Sequence, residues 1–132
     1  MHPYLRAYMS GVALPTMVVP IVIAGISLAH PSGQPFRIEE VAIFPIGLVP
    51  NAWGLWNMLY LTLRRRWEIP FGVYGAFLVL VLAPAAFGIQ TALGKMLWTP
   101  DLVAIGLPMT LIGYYLAWKH VVARFNDVLG IG

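Results

Sequence analysis

The sequence contains no cysteine and few charged residues. Without cysteine, its 132 residues can form no disulfide, no thiolate metal site and no cysteine nucleophile. Asp, Glu, Lys and Arg together make up 10% of the chain, whereas soluble domains average about 25%. With 60% hydrophobic residues, the chain has more apolar surface than a soluble core can use, so a helical membrane protein is expected.

Charged side chains are also missing from the middle of each long apolar segment. Four segments are predicted to span a membrane, namely 8–29, 41–63, 70–93 and 101–118. None has Asp, Glu, Lys or Arg in its middle, which argues against a voltage sensor and against proton transport through a carboxylate. The three histidines lie at or beyond segment ends, and no zinc-type ligand cluster occurs. We therefore predict no metal, no cofactor and no catalytic residue.

The predicted fold is all-α, with a single transmembrane domain over 1–132. Four antiparallel helices in up-down-up-down order would form the bundle. Each span contains at least one proline, and the six are Pro15, Pro20, Pro45, Pro50, Pro84 and Pro108. Each proline frees a backbone carbonyl and kinks its helix, although prolines are also common in membrane helices generally.

The basic residues predict the orientation. Six lie on one side of the predicted spans and two on the other. The positive-inside rule then places both ends of the chain and the 64–68 loop in the cytoplasm, in a bacterial inner membrane. The cytoplasmic side has a second interpretation, binding of anionic lipid headgroups by Arg64, Arg65, Arg66, Lys119 and Arg124. These positions account for the net charge of +3, so nucleic acid is not expected as a partner.

The most polar stretch at membrane depth is 44–60, with the sequence FPIGLVPNAWGLWNMLY. At about 100° per residue, one helical stripe carries Gly47, Asn51, Gly54 and Met58. Asn57 flanks this stripe, and Pro50 leaves the carbonyl of Ile46 without its helical partner. Because lipid offers no hydrogen bonds, these groups are predicted to face protein, a cavity or water.

Two sets of residues are predicted from these patterns. The predicted ligand-binding or pore-lining residues are Asn51, Trp53, Asn57, Gln90 and Thr110. Trp53 is too central in its span for an interfacial role, so it either fills the core or walls a pocket. Small residues allow close helix approach, within the chain or between copies, and the predicted packing positions are Gly47, Gly54, Gly106 and Gly113.

Two functions are compatible with these patterns. The first is a carrier or channel module for a small neutral or weakly polar solute, because the polar mid-span has no fixed charge. The alternative is an accessory subunit of a larger membrane complex that binds a lipid, isoprenoid or pigment, because 13% of residues are aromatic. Membrane lipids and either identical copies or a larger complex are the expected partners. An enzyme is disfavoured because no acid–base pair can be assembled.

Overall fold

The computed structural model describes residues 1–30, 33, 42–94 and 99–132. These residues form four helices and no β-strand, which confirms the all-α prediction. The helices are α1 (Pro3–Ala29), α2 (42–63), α3 (Phe71–Ala92) and α4 (Pro100–Val128).

Two of the helices change winding along their length. Helix α2 starts as a π-helix over Ala42–Leu48 and continues as an α-helix over Val49–Leu63. Helix α4 contains a π-helical segment, Ala117–Val122, and then runs past the predicted span end at 118 to Val128. Single π turns inside α-helices are rare and occur often at functional sites.

Helices α1, α3 and α4 are long and apolar enough to cross a membrane. Their outer faces expose large hydrophobic side chains, among them Ile21, Leu80 and Ile105. Such exposure is unfavourable in water but normal where a helix faces hydrocarbon chains. The structure therefore supports a membrane protein built as a helix bundle.

Helices that follow one another in the chain pack antiparallel, so that the end of one lies beside the start of the other. The Nδ2 atom of Asn57, late in α2, donates to the carbonyl of Ala7, early in α1, at 2.8 Å. Trp56 and Tyr74 exchange two hydrogen bonds of 2.9 Å, each side chain donating to the other residue's carbonyl. The end of α2 therefore lies beside the starts of both α1 and α3.

Most buried side chains lie in one half of the bundle, which we call the packed half. It comprises the start of α1, the end of α2, the start of α3 and the end of α4. Its main hydrophobic core consists of Val49, Trp53, Tyr74, Leu78, Leu82, Trp118 and Val122. Glycine makes room for the aromatic rings, since a Cβ atom at Gly72 would lie 2.8 Å from the ring of Tyr115.

The opposite half, called the open half, is less closely packed. The six prolines beyond the first turns of the helices, from Pro15 to Pro108, lie in it or at its border with the packed half. A proline removes one helical hydrogen bond and favours a bend, so helices rich in proline pack less regularly against each other. The two cavities described below lie mainly in this half.

Candidate functional site

A cavity of about 300 Å³ lies between α1 and α2, and we call it the α1–α2 cavity. Its lining combines three polar side chains and three prolines, namely Tyr8, Thr16, Asn51, Pro15, Pro20 and Pro50. The remaining wall is aliphatic. The predicted polar mid-span of α2 therefore opens on a cavity, and α1 supplies its other wall.

Two hydrogen bonds hold the Asn51 amide in this cavity. Its Nδ2 atom donates to the Gly47 carbonyl at 2.7 Å, and its Oδ1 atom accepts from the Tyr8 hydroxyl. A primary amide has two N–H groups and two acceptor lone pairs. One N–H and one lone pair of this exposed side chain thus remain for a ligand.

Backbone chemistry adds a hydrogen-bond acceptor to the same cavity. Pro20 has no N–H, so the carbonyl of Thr16 lacks its α-helical partner, and Thr16 lines the cavity. Ile46 also lines it, but Ile46 lies in the π-helical segment, where a carbonyl pairs with the N–H five residues further on, so Pro50 does not remove its helical partner as the sequence predicted. The cavity lining contains no charged side chain. Its donors and acceptors suit water or a small neutral polar molecule better than an ion, which would lose its hydration without compensation.

Gly47 lies in the π-helical segment of α2, four residues before Asn51. A Cβ atom at Gly47 would lie 2.7 Å from the carbonyl oxygen of Ala42 in the same π-helical segment. The glycine therefore relieves crowding inside α2, whereas the sequence pattern predicted a contact with another helix.

A second cavity, of about 170 Å³, lies between α3 and α4 and is called the α3–α4 groove. It is almost entirely apolar and is bordered by Phe44, Leu82, Ala86, Val103, Gly106 and Leu107. Thr110 also lines it, but its hydroxyl donates to the Gly106 carbonyl at 2.7 Å. This groove suits a hydrocarbon chain, and Gly106 lies in its wall.

Trp53 belongs to the core. It is 4% exposed, and its ring centroid lies 4.8 Å from that of Tyr114 and 5.4 Å from that of Trp118. Tyr114 in turn lines the α3–α4 groove. Of the two roles that the sequence left open, the structure favours core filling, directly behind the groove wall.

Asn57 lies in the packed half, separate from Asn51. Its Nδ2 atom donates to Oδ1 of Asn126 at 2.8 Å, and Nδ2 of Asn126 donates back to Oδ1 of Asn57 at 3.1 Å. Both side chains are buried, at 0% and 4% exposure. We call these two residues the amide pair. Sequence reasoning missed Asn126 because it lies beyond the predicted fourth span, although it is at helical spacing from Trp118 and Val122.

Gln90 lines neither of these cavities. It is buried near the end of α3, and its Oε1 atom has no hydrogen-bond partner among the described residues. Its predicted contact with a ligand stays a prediction.

The remaining packing glycines divide into two cases. At Gly54 a Cβ atom would come within 2.6 Å of the Tyr8 ring, and at Gly11 it would come within 2.9 Å of the Gly54 Cα atom. Gly54 therefore marks the crossing of α2 with α1, and Gly11, which sequence reasoning missed, is its counterpart. A Cβ atom at Gly113 would meet no described atom within 4 Å. Contact between copies at Gly113 stays a prediction.

The basic residues gather at the end of the packed half, but they are not equivalent. Nη1 of Arg64 donates to the Ile131 carbonyl at 2.8 Å, so this side chain also supports the fold. Lys119 lies 5.4 Å from the centroid of the Tyr115 ring, in a cation–π arrangement. The exposed side chains that remain for lipid headgroups are Arg65, Arg66 and Arg124.

No family model, curated protein or solved structure matches this chain. The geometry of the α1–α2 cavity and the α3–α4 groove is therefore the basis for interpreting function. Among the described residues, no group of three His, Asp or Glu side chains is placed to hold a metal ion.

Proposed function

We propose that this protein crosses the membrane four times and carries a small neutral or weakly polar solute through the α1–α2 cavity. The fourth span would be α2, because no charged residue occurs between 42 and 63 and because α2 lies beside α1 and α3. The basic end of the packed half would face the cytoplasm of a bacterial inner membrane. Identical copies, or a larger complex, would surround the chain in the lipid.

The observation that carries this proposal is the placement of Asn51. Its amide is held by Tyr8 and Gly47 in a cavity that is also lined by Thr16, whose carbonyl lacks its helical partner because of Pro20. The cavity volume of about 300 Å³ is at the lower end of the range for small-molecule pockets. Because no charged side chain lines it, the proposed solute is uncharged.

Permeability of reconstituted vesicles tests the proposal. Purified protein in liposomes would be mixed rapidly with glycerol, urea or erythritol, and the rate of volume recovery would be followed by light scattering. We expect wild type to accelerate entry of at least one of these solutes and Asn51→Leu to return the rate to that of empty vesicles. The matched control is Leu55→Ala on the same helix, since Leu55 is 58% exposed and lines neither cavity. Equal rates for wild type and Asn51→Leu would refute a solute site at Asn51.

A second candidate function rests on the α3–α4 groove. Its almost wholly apolar lining favours the hydrocarbon chain of a lipid, isoprenoid or pigment, which an accessory subunit would hold. Native mass spectrometry of the purified protein distinguishes the candidates. A bound hydrophobic molecule that survives detergent exchange, together with vesicles that show no solute entry, would favour the accessory subunit.

A further inference from the structure

The α1–α2 cavity is closed toward the packed half. Directly beside it, Gly11 and Gly54 bring the backbones of α1 and α2 together, and the Tyr8 ring packs on Gly54. Farther into the packed half, Asn57 binds both Ala7 and Asn126. A solute in the cavity therefore meets first a tight helix crossing and then buried hydrogen bonds.

We propose that the amide pair, Asn57 and Asn126, is the gate between the α1–α2 cavity and the packed-half side of the membrane. This inference rests on the proposed function, because a gate needs a route to close. The pair links α2 with α4, and Asn57 also links α2 with α1. Its separation would remove both hydrogen bonds that join α2 to α4.

Hydrogen bonding between buried amides suits such a gate. Interhelical hydrogen bonds in membranes are individually weak, so a pair of them can break and form again. Closed, the two amides satisfy each other in a site with almost no exposure. Open, they need water or a polar solute, because an unpartnered buried amide is unfavourable.

A turn at the end of α4 holds the gate closed. Gly130 has φ +70°, Ile131 N donates to the Asn126 carbonyl at 2.9 Å, and Gly130 N donates to the Asp127 carbonyl at 3.0 Å. This is the Schellman geometry that ends many helices. We call residues 129–131 the Gly130 turn.

Two arginines from other helices bind this turn. Nη1 of Arg6 in α1 donates to the Leu129 carbonyl at 3.3 Å, and Nη1 of Arg64, just after α2, donates to the Ile131 carbonyl at 2.8 Å. Cations beside the end of a helix are favoured by its dipole. The Ile131 side chain is 6% exposed and packs in a small core with Ala7 and Leu61. The turn therefore ties the same three helices as the amide pair.

The π-helical segment gives α4 a means to move Asn126. Ala117–Val122 lies directly before the turn of helix that carries this residue. Conversion of such a segment to α-helix shifts the register of the residues after it, and one residue of register turns a side chain by about 100° around the helix axis. A change of this size would take Asn126 off Asn57.

Thiol accessibility tests the gate without any knowledge of the solute. Because the chain has no cysteine, Ser10→Cys introduces a single thiol at a side chain that is 1% exposed and lies 3.5 Å from the Val122 carbonyl. A membrane-impermeant maleimide applied from the side of the 64–68 loop should react slowly. Addition of Asn126→Ala should accelerate the reaction about tenfold or more, since Oδ1 of the buried Asn57 then loses its hydrogen-bond donor. Val128→Ala, at an 83% exposed position of the same helix, should leave the rate unchanged.

Two further variants distinguish a gate from a merely structural contact. Arg64→Gln removes the hydrogen bond to the Ile131 carbonyl. Its labelling rate should lie between those of the Ser10→Cys protein with and without Asn126→Ala. This variant keeps the test usable if Asn126→Ala fails to fold. The double variant Asn57→Leu with Asn126→Leu replaces the amides by an apolar contact. It should stay folded with slow labelling, and it should lose entry of whichever of the three solutes wild type passes. Equal labelling rates in the Ser10→Cys, Asn126→Ala and Arg64→Gln backgrounds would overturn the gate. Entry of that solute at the wild-type rate in the double-leucine variant would do the same. If wild type itself passes no glycerol, urea or erythritol, the solute proposal fails, and the labelling rates still decide whether the amide pair opens.

Discussion

Two asparagines of α2, Asn51 and Asn57, are only six residues apart and have different surroundings. Both were predicted from the sequence as polar groups at membrane depth, and each indeed has hydrogen-bond partners. Asn51 is exposed in the α1–α2 cavity, whereas Asn57 is buried against Asn126. The sequence could not separate them, because the difference depends on Tyr8 and Asn126, residues that only the fold brings close.

Gly75 makes room for the side chain of Trp118, and this contact predicts the effect of a substitution on stability. A Cβ atom at Gly75 would overlap the side chain of Trp118, which is fully buried. Gly75→Ala should therefore destabilise the protein by roughly 1–3 kcal/mol through overpacking. Gly88→Ala in the same helix is the matched control, because a Cβ atom there meets no described atom within 4 Å. It should be neutral or stabilising by up to about 1 kcal/mol. Thermal unfolding in detergent measures both, and equal melting temperatures for the two variants would contradict the packing of Trp118 on Gly75.

At the scale of the element, the positions of the helices could be predicted from the sequence, but their π-helical segments could not. Long apolar runs without charge predict helices of membrane length, and the structure has helices at all four positions. At the end of α4, Lys119, His120 and Arg124 end the apolar span at 118, and the chain continues as an amphipathic helix to Val128, as its pattern of polar and apolar residues predicts. Their side chains are exposed while Trp118 and Val122 on the same helix are buried. The π-helical winding of α2 and α4 has no local signal in the sequence that we can identify.

At the crossing of α1 and α2 the two backbones are so close that there is no room for a larger side chain. A Cβ atom at Gly11 would lie 2.9 Å from the Cα atom of Gly54, and backbone cannot move aside as a flexible side chain can. Gly11→Ala should force the helices apart and lower resistance to unfolding by SDS, by roughly 1–3 kcal/mol. Gly25→Ala, on the same helix with no described atom within 4 Å of its Cβ position, should not. Equal resistance of these two variants would show that α1 and α2 do not approach this closely in the membrane.

In the whole molecule, the tightly packed half is also the half with most of the basic residues. The packed half holds the hydrophobic core, and the same end carries most of the basic residues, while the open half holds the prolines and much of both cavities. Charge bias alone predicts an orientation, but the sequence gives no sign that one half would be tightly packed. That asymmetry arises from contacts between distant residues, such as Asn57 with Asn126 and Trp53 with Tyr114.

The predicted orientation can be tested with single cysteines in this cysteine-free chain. Trp67→Cys and Gly33→Cys lie at exposed positions between helices and leave all basic residues in place. We expect an impermeant maleimide to label the thiol at position 67 only from the cytoplasmic side and the thiol at position 33 only from the opposite side. Labelling of both positions from the same side would show that 42–63 does not cross the membrane.

The aromatic core also has an optical consequence. The rings of Trp53 and Trp118 lie 5.4 Å apart at an interplanar angle of 39°, and Tyr74 and Tyr114 pack against them. Aromatic rings held in a fixed asymmetric arrangement give circular dichroism in the near ultraviolet, and this signal disappears when packing loosens even if helices persist. Because these rings belong to the packed half, the tryptophan part of the signal responds to packing in that half. An unlabelled sample could therefore be followed spectroscopically, with near-ultraviolet intensity reporting closure of the packed half and far-ultraviolet intensity reporting the helices themselves.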